Sequence, residues 1–277
     1  MIHAFLKRAA EIAPFRLKYE LFYGLAKSLG VTAYQVDGQS GQIFGHLYDQ
    51  TLMKNYLRDR YWSSDIAEMI SEEFGDGPGT FYDIGANIGT IIIPVAKNRK
   101  LRCIGFEPDP GNYALLSANV AVNGASNIEL MRIAVAHEKG QMHFQRASWN
   151  AGDHHLSADG DLVVDVVALD DLPMPAEPFV AKIDVQGAEP AIFEGGERTL
   201  ARADLIICEF SPFAMRRMDL EPERMLRFAR SNFEWGCVLH DHEKLGQMEP
   251  IESVIAKLEE VAKGSREIDQ VDLILKK

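Results

Sequence analysis

Four apolar runs, TFYDI, LRCIGFE, FVAKID and LIICEF, each carry an acid at or near their end, and each is followed by a stretch of helical periodicity. Strands buried on both faces read as continuous apolar runs, and parallel neighbours need a helical crossover between them. The alternation therefore predicts an α/β fold with a doubly wound, mostly parallel sheet. Open sheets of this kind bind ligands beyond the carboxyl ends of their strands. Asp83, Glu107, Asp184 and Glu209 are all expected at that edge.

The remaining segments fit around this unit. GNYALLSANVAVNG reads as a helix, IELMRIAV as one further strand, and IIIPVAKN as a helix whose start Pro94 bends or shortens. GQMHFQRA and LVVDVVAL read as two extra strands around a polar loop, Ser148 to Asp161. AEPAIFEGGERTL, EPERMLRFARSNF and IESVIAKLEEVAK read as helices, with GCVLH and QVDLILKK as the last strands. Ahead of the unit, residues 1 to about 30 are helical in pattern, interrupted at Pro14, with apolar Phe5, Leu6, Ala9 and Ile12 on one face. VTAYQVDGQSGQIFGHL suggests a hairpin, and residues from about 50 to 73 return to helix before GDGPG breaks the chain. We expect residues 1–75 to form a helical and hairpin cap, and residues 76–277 one large domain.

A net charge of −12 argues against a nucleic-acid partner, which needs a basic stripe to neutralise phosphates. The one basic bias is N-terminal, Lys7, Arg8, Arg16, Lys18 and Lys27 against Glu11 and Glu20, and is read as a solvated helix face. A membrane-surface or partner helix is the alternative. No apolar run reaches the length of a transmembrane helix. Three cysteines without C-x-x-C spacing suggest neither zinc nor a disulfide framework, and fit a reducing cytoplasm.

The cofactor reading begins at FYDIGANIGT. Asp83-x-Gly85-x-x-x-Gly89 lacks the G-x-G-x-x-G spacing of a dinucleotide turn, and no phosphate loop is present. Glu107, at the end of the next strand, is placed to accept hydrogen bonds from both hydroxyls of a ribose. A glycine turn without a pyrophosphate fingerprint, followed by such an acid, favours S-adenosylmethionine.

With GFEPDPGNYALLSANVAVNG, VVALDDL, AKIDVQGAEPAIFEGG and LIICEFSP following in order, the chain from about Tyr48 to Phe213 resembles the FkbM-type family of S-adenosylmethionine-dependent methyltransferases. The resemblance implies a class I, Rossmann-like methyltransferase fold, a seven-stranded sheet with its last strand antiparallel. It also implies O-methylation of a hydroxyl on a small molecule, sugar or natural product. Carried over by position, Asp83, Gly85, Ala86, Asn87 and Gly89 match the cofactor turn, and Glu107 the ribose acid with Pro108 beside it. Asn112, Ile133 and Ala134 are expected at the cofactor edge. Lys182, Asp184 and Gln186 match the element facing the transfer site, although the family commonly has Glu where Gln186 stands.

Asp184 is the first candidate for the base that takes the acceptor's proton, with Glu209 beside it and His154 and His155 as further candidates. Trp149 and Asn150 are candidate walls of an acceptor pocket. Hard oxygen ligands suit magnesium, so an ion held by Asp184 and Glu209 is an alternative, but two carboxylates do not establish a metal site. His240 and His242 are weighed as residues of the same edge. A non-catalytic scaffold that binds the cofactor and a nicotinamide-dependent oxidoreductase are the rival readings. The identity of the glycan or small-molecule acceptor and any homo-oligomer stay open.

Overall fold

The computed structural model describes residues 14–239, 246–264 and 270–277. The helix expected before Pro14 and the residues around His240 and His242 lie outside them. Helix α1 (Phe15–Ser28) leads into the hairpin of β1 (Ala33–Gly38) and β2 (Gly41–His46), then α2 (Leu52–Asp59) and α3 (Ser64–Phe74). The segment read as one helical stretch is thus two helices, because Arg60 and Ser63 take left-handed backbone angles between them.

The winding starts with β3 (Gly79–Ile84), a single-turn α4 (Ile92–Val95), β4 (Leu101–Phe106), α5 (Pro110–Val122) and β5 (Ile128–Met131). Asp109 caps α5 by accepting from the N–H groups of Gly111 (2.8 Å) and Asn112 (2.9 Å), with Pro110 in the first turn. Strands β6 (Ala134–Val135), β7 (Gly140–Gln145), β8 (His155–Leu156) and β9 (Leu162–Val167) form a separate sheet in the order β6-β9-β7-β8. IELMRIAV is therefore two strands: β5 pairs with β4, and after Arg132 and Ile133 the chain changes sheets so that β6 pairs with β9.

Next come β10 (Phe179–Ile183), α6 (Glu189–Gly195), α7 (Glu197–Leu200), β11 (Leu205–Phe210), α8 (Pro212–Arg217), α9 (Glu223–Asn232) and β12 (Trp235–Leu239). The chain finishes with β13 (Glu249–Pro250), α10 (Ile251–Val261) and β14 (Val271–Lys276). The main sheet has the order β13-β12-β14-β11-β10-β3-β4-β5. Its seven long strands include an antiparallel β14 inserted between β11 and β12, and β13 adds a two-residue edge.

Strand period two divides the core. Tyr82, Ile84, Phe106, Ala181, Cys208 and Leu273 face α6, α9 and α10 through Phe193, Phe228 and Leu258. Phe81, Val180, Ile207 and Ile274 face the other way, where Met53, Tyr56 and Ile70 of the N-terminal helices join them in one apolar cluster. At the edge where the parallel strands end and the antiparallel β14 begins, Asp83, Lys182, Glu209 and Asp272 occupy the same alternation as this second set, so the strand period brings four charged groups to one face of that edge.

Candidate functional site

The sheet reverses its order of travel between β3 and β10, the switch point at which open sheets bind ligands. After Ile84 the turn runs beneath the end of β4: the N–H groups of Gly85 and Ala86 both donate to the Phe106 carbonyl at 3.0 Å. Gly85 has φ +84°, and a Cβ there would stand 1.9 Å from the Asp184 carbonyl oxygen. The glycine is thus required by the close approach of β10's end as well as by its backbone angle. Gly85→Ala is expected to destabilise the protein by at least roughly 1–3 kcal/mol from backbone strain and to displace Asp184. Gly24→Ala, in α1 with no atom within 4 Å of the added methyl, is expected to stabilise it slightly. Urea unfolding of the two variants checks the contrast.

Glu107 is buried and held by two donors, the N–H of Asn87 (2.9 Å) and the N–H of Asp109 (2.8 Å). Burial pushes its carboxyl up to about 8, with the neighbouring Asp109 and Asp83 charges adding to the effect. Asp83 is also buried, and burial raises it to about 6 against the pull of Lys182. Neither Asp83 oxygen has a hydrogen-bond partner of good geometry, and the Lys182 ammonium stands 3.6 Å away.

Two cavities meet at this turn. The inner one, about 520 Å³ including its open mouth, is lined by Glu107, Pro108, Asn112, Ile133, Ala134 and His154 among others. The outer one, about 1260 Å³ including its open mouth, is lined by Asp83, Ala86, Asn150, Lys182, Gln186, Glu209 and Asp272, with Leu52, Trp62 and Ile66 from the N-terminal segment. Gly85, Asn87, Gly152 and Asp184 border both.

In the outer cavity Lys182 reaches Asp184 Oδ2 at 3.2 Å, and the Gln186 amide nitrogen donates to Asp184 Oδ1 (2.9 Å) and Glu209 Oε2 (3.1 Å). Burial works against the Lys182 ammonium, but the Asp184 and Asp83 carboxylates outweigh it and raise its pKa. Burial raises Glu209 well above the carboxylate range, and Asp184 and Glu189 push it further. Glutamine at position 186 has a physical reason here: its amide donates to the Asp184 and Glu209 carboxyl groups, whereas an ionised glutamate would add negative charge beside Asp184.

Glu189, which sequence reasoning passed over, is fully buried and accepts from the N–H groups of Val185 (3.0 Å) and Gly187 (2.9 Å). It pins the turn that carries Asp184 and Gln186. Asp272 was also missed, although an acid in the apolar alternation of VDLILK was a signal. Trp62 lines the outer cavity, and nothing in its local sequence set it apart.

Several expected residues are elsewhere. His154 borders the inner cavity, its Nδ1 accepting from the Ala147 N–H (3.0 Å) and its Nε2 standing 3.4 Å from the Tyr48 hydroxyl. With Nδ1 occupied, the proton sits on Nε2, and burial pushes the ring's pKa down, so no lone pair is free to act as a base. His155 bonds the Asp153 carbonyl (2.9 Å) and borders neither cavity. Trp149 is exposed and also borders neither. Asn150 reaches the outer cavity, with its side-chain oxygen already accepting from the Gly152 N–H. Gly89 shapes the turn from behind, where a Cβ would strike Leu116 and Ile93. Among the described residues no group of three or more histidine, cysteine or acidic side chains is arranged to hold a metal ion.

The methyltransferase FkbM domain matches residues 83–235, more than half of the chain. This chain belongs to the FkbM methyltransferase family. Its sheet, with β14 antiparallel beside β11, is the class I methyltransferase arrangement expected from the sequence. The FkbM match begins later and ends later than the stretch from Tyr48 to Phe213 that the motifs covered. The hexuronic acid methyltransferase AglP of Haloferax volcanii is 26% identical over 157 residues, 55% of this chain. That alignment spans 64% of AglP, less than two thirds of its length. Among solved structures, the methyltransferase FkbM from Methylobacillus flagellatus KT aligns with a TM-score of 0.44 and 18% identity, over 62% of this chain and 42% of that one. Precorrin-6y C5,15-methyltransferase from Geobacter metallireducens GS-15 aligns with a TM-score of 0.40 and 13% identity, over 79% and 92%. No helix among the described residues is long and apolar enough to cross a membrane.

Proposed function

We propose that this FkbM-family chain uses S-adenosylmethionine to methylate a hydroxyl group on an uncharged small molecule or sugar. The observation that carries this reading is the pair of cavities joined at Gly85, Asn87, Gly152 and Asp184, one ending on Glu107 and the other on Asp184 and Glu209. The residues suit the cofactor. Glu107 faces the inner cavity as an acceptor for ribose hydroxyls, between apolar Ile133 and Ala134 and polar Asn112. Asp83, buried with both oxygens free of good hydrogen bonds, is an acceptor for the ammonium end.

S-adenosylmethionine supplies an electrophilic methyl group with a neutral thioether as leaving group. The protein's share is to hold the acceptor oxygen in line, exclude water and receive the hydroxyl proton. Asp184 is the group at the junction, oriented by Lys182 and Gln186, and Glu209 beside it disfavours further negative charge. We also propose that residues 1–75 act as a cap, because Leu52, Trp62 and Ile66 wall the outer cavity and share a core with the sheet. The metal-free reading rests on Gln186, which occupies both carboxylates with an amide donor.

The acceptor's charge follows from the lining. Among the described residues around the outer cavity Lys182 is the one cation, and it is engaged by two carboxylates. A uronate or phosphate would meet Asp184 and Glu209 with no free cation among the described residues. With a radiolabelled methyl donor, a neutral glycoside is expected to be labelled at least about tenfold faster than the matching uronide, the scale of one unpaired charge contact. Calorimetry showing no S-adenosylhomocysteine binding, or binding of NAD in its place, overturns the activity itself. Preference for the uronide overturns only the acceptor class.

A further inference from the structure

Half of the large apolar side chains exposed among the described residues fall between Leu17 and Val31. Leu17, Leu21, Leu25 and Leu29 are 52–71% exposed and recur every fourth residue along α1 and its end. Steps of four advance about 40° around a helix, so they form one slanted stripe. The helix is already seated through a different face: Tyr19 and Ala26 are buried, Phe22 packs edge-on against Tyr34, and Lys54 sits over the Tyr19 ring. The leucine stripe is a second apolar face. A contiguous exposed patch of this kind marks an interaction surface rather than scattered surface leucines.

The geometry points to an anionic lipid surface as the partner of this stripe. Helix α1 carries Arg16, Lys18 and Lys27 against Glu20, on a chain whose net charge is −12. Its basic character is thus local and opposite in sign to the rest of the molecule. The sequence ahead of it adds Lys7 and Arg8 against Glu11. Lys18 and Arg16 flank Leu17 at the foot of the stripe, Lys18 one turn before Leu21 and Phe22. A second copy of the chain packed on this face would bring Arg16 and Lys18 of two helices to one apolar seam, with one acid per helix, Glu20, against them. At a lipid interface the lysine stem lies along the acyl boundary and its ammonium reaches the headgroups. Anionic headgroups attract such juxtaposed cations within a Debye length.

The test is flotation of the full chain with vesicles of phosphatidylcholine alone and of equal parts phosphatidylcholine and phosphatidylglycerol. The wild-type protein is expected to float with the anionic vesicles and to be released by high salt. The double variant Leu21→Glu, Leu25→Glu, at two exposed positions, is expected to lower partitioning at least about tenfold while leaving the thermal unfolding midpoint unchanged. Lys18→Glu with Lys27→Glu is expected to weaken binding at low salt and to differ little from wild type at high salt. Absence of flotation, or flotation unaffected by the leucine changes, overturns the proposal. A dimer by light scattering that the leucine changes convert to a monomer, without vesicle binding, assigns the stripe to a second copy instead.

Discussion

Asp184→Asn is expected to lower turnover by about 10²–10⁴-fold, the usual share of a positioned general base. The substitution keeps the side chain's size and removes its negative charge and basicity. Cofactor affinity is expected to change little, because the proposed ribose acceptor, Glu107, follows β4, which β3 separates from β10. Asp184 is 40% exposed at its side chain and touches Lys182 and Gln186, so the folded state tolerates the change. The comparison variant is Gln186→Glu, which places a third carboxylate against Asp184 and Glu209 and is expected to raise the pH at which activity appears. Wild-type turnover is expected to survive a chelator, since the Gln186 amide already donates to both carboxyl groups. Near-wild-type turnover by Asp184→Asn would make Asp184 structural. With His154 committed on both nitrogens and His155 remote, Glu209 would be the remaining group.

The second large effect is at Glu107. Replacement by Gln is expected to weaken S-adenosylhomocysteine binding by roughly 1.5–3 kcal/mol, about ten- to a hundredfold. One of its oxygens becomes an NH₂ that faces either the Asn87 or the Asp109 N–H, so the turn is also loosened. The pH dependence separates the two causes. Burial keeps the Glu107 carboxyl protonated up to about pH 8, while ribose hydroxyl donors favour the carboxylate. Ligand affinity is therefore expected to strengthen as pH rises towards about 8 and then level off, with a flat profile in the variant. The ligand-free protein behaves oppositely. With a folded pKa above the unfolded one, Glu107's contribution to stability is complete below the ordinary carboxylate value and is lost as pH rises through about 8. Titration calorimetry and urea unfolding across that range test both slopes.

The legible part of this protein was the part written in strand period. FVAKI is buried along its length and LIICEF at every position but Glu209, and their acids fall where the sequence placed them, because a two-residue repeat leaves no freedom once the core face is chosen. The same repeat made Asp272 readable in principle. IELMRIAV misled for the converse reason: an apolar run does not record which sheet its halves join, and the change of partner after Arg132 depends on β9, a distant segment. His154 and His155 are adjacent in sequence, yet only His154 meets the cavity wall. That outcome is set by β8 pairing with β7, which brief polar sequence does not encode. Trp62 was out of reach because its role comes from the packing of α2 and α3 onto the sheet.

The position of β14 bears on how the chain is assembled. It is antiparallel to both β11 and β12 and lies between them, and Lys276 reaches back to Glu73 of α3 at 2.6 Å. On a ribosome, β11 and β12 emerge before the strand that joins them, so the sheet stays split in its interior until Val271–Lys276 has been made. A nascent or proteolysed chain lacking those residues presents two unpaired apolar edges towards each other. Loss of this one segment is thus expected to convert a folded protein into an aggregating one, and to remove Asp272 from the wall of the outer cavity in the same event.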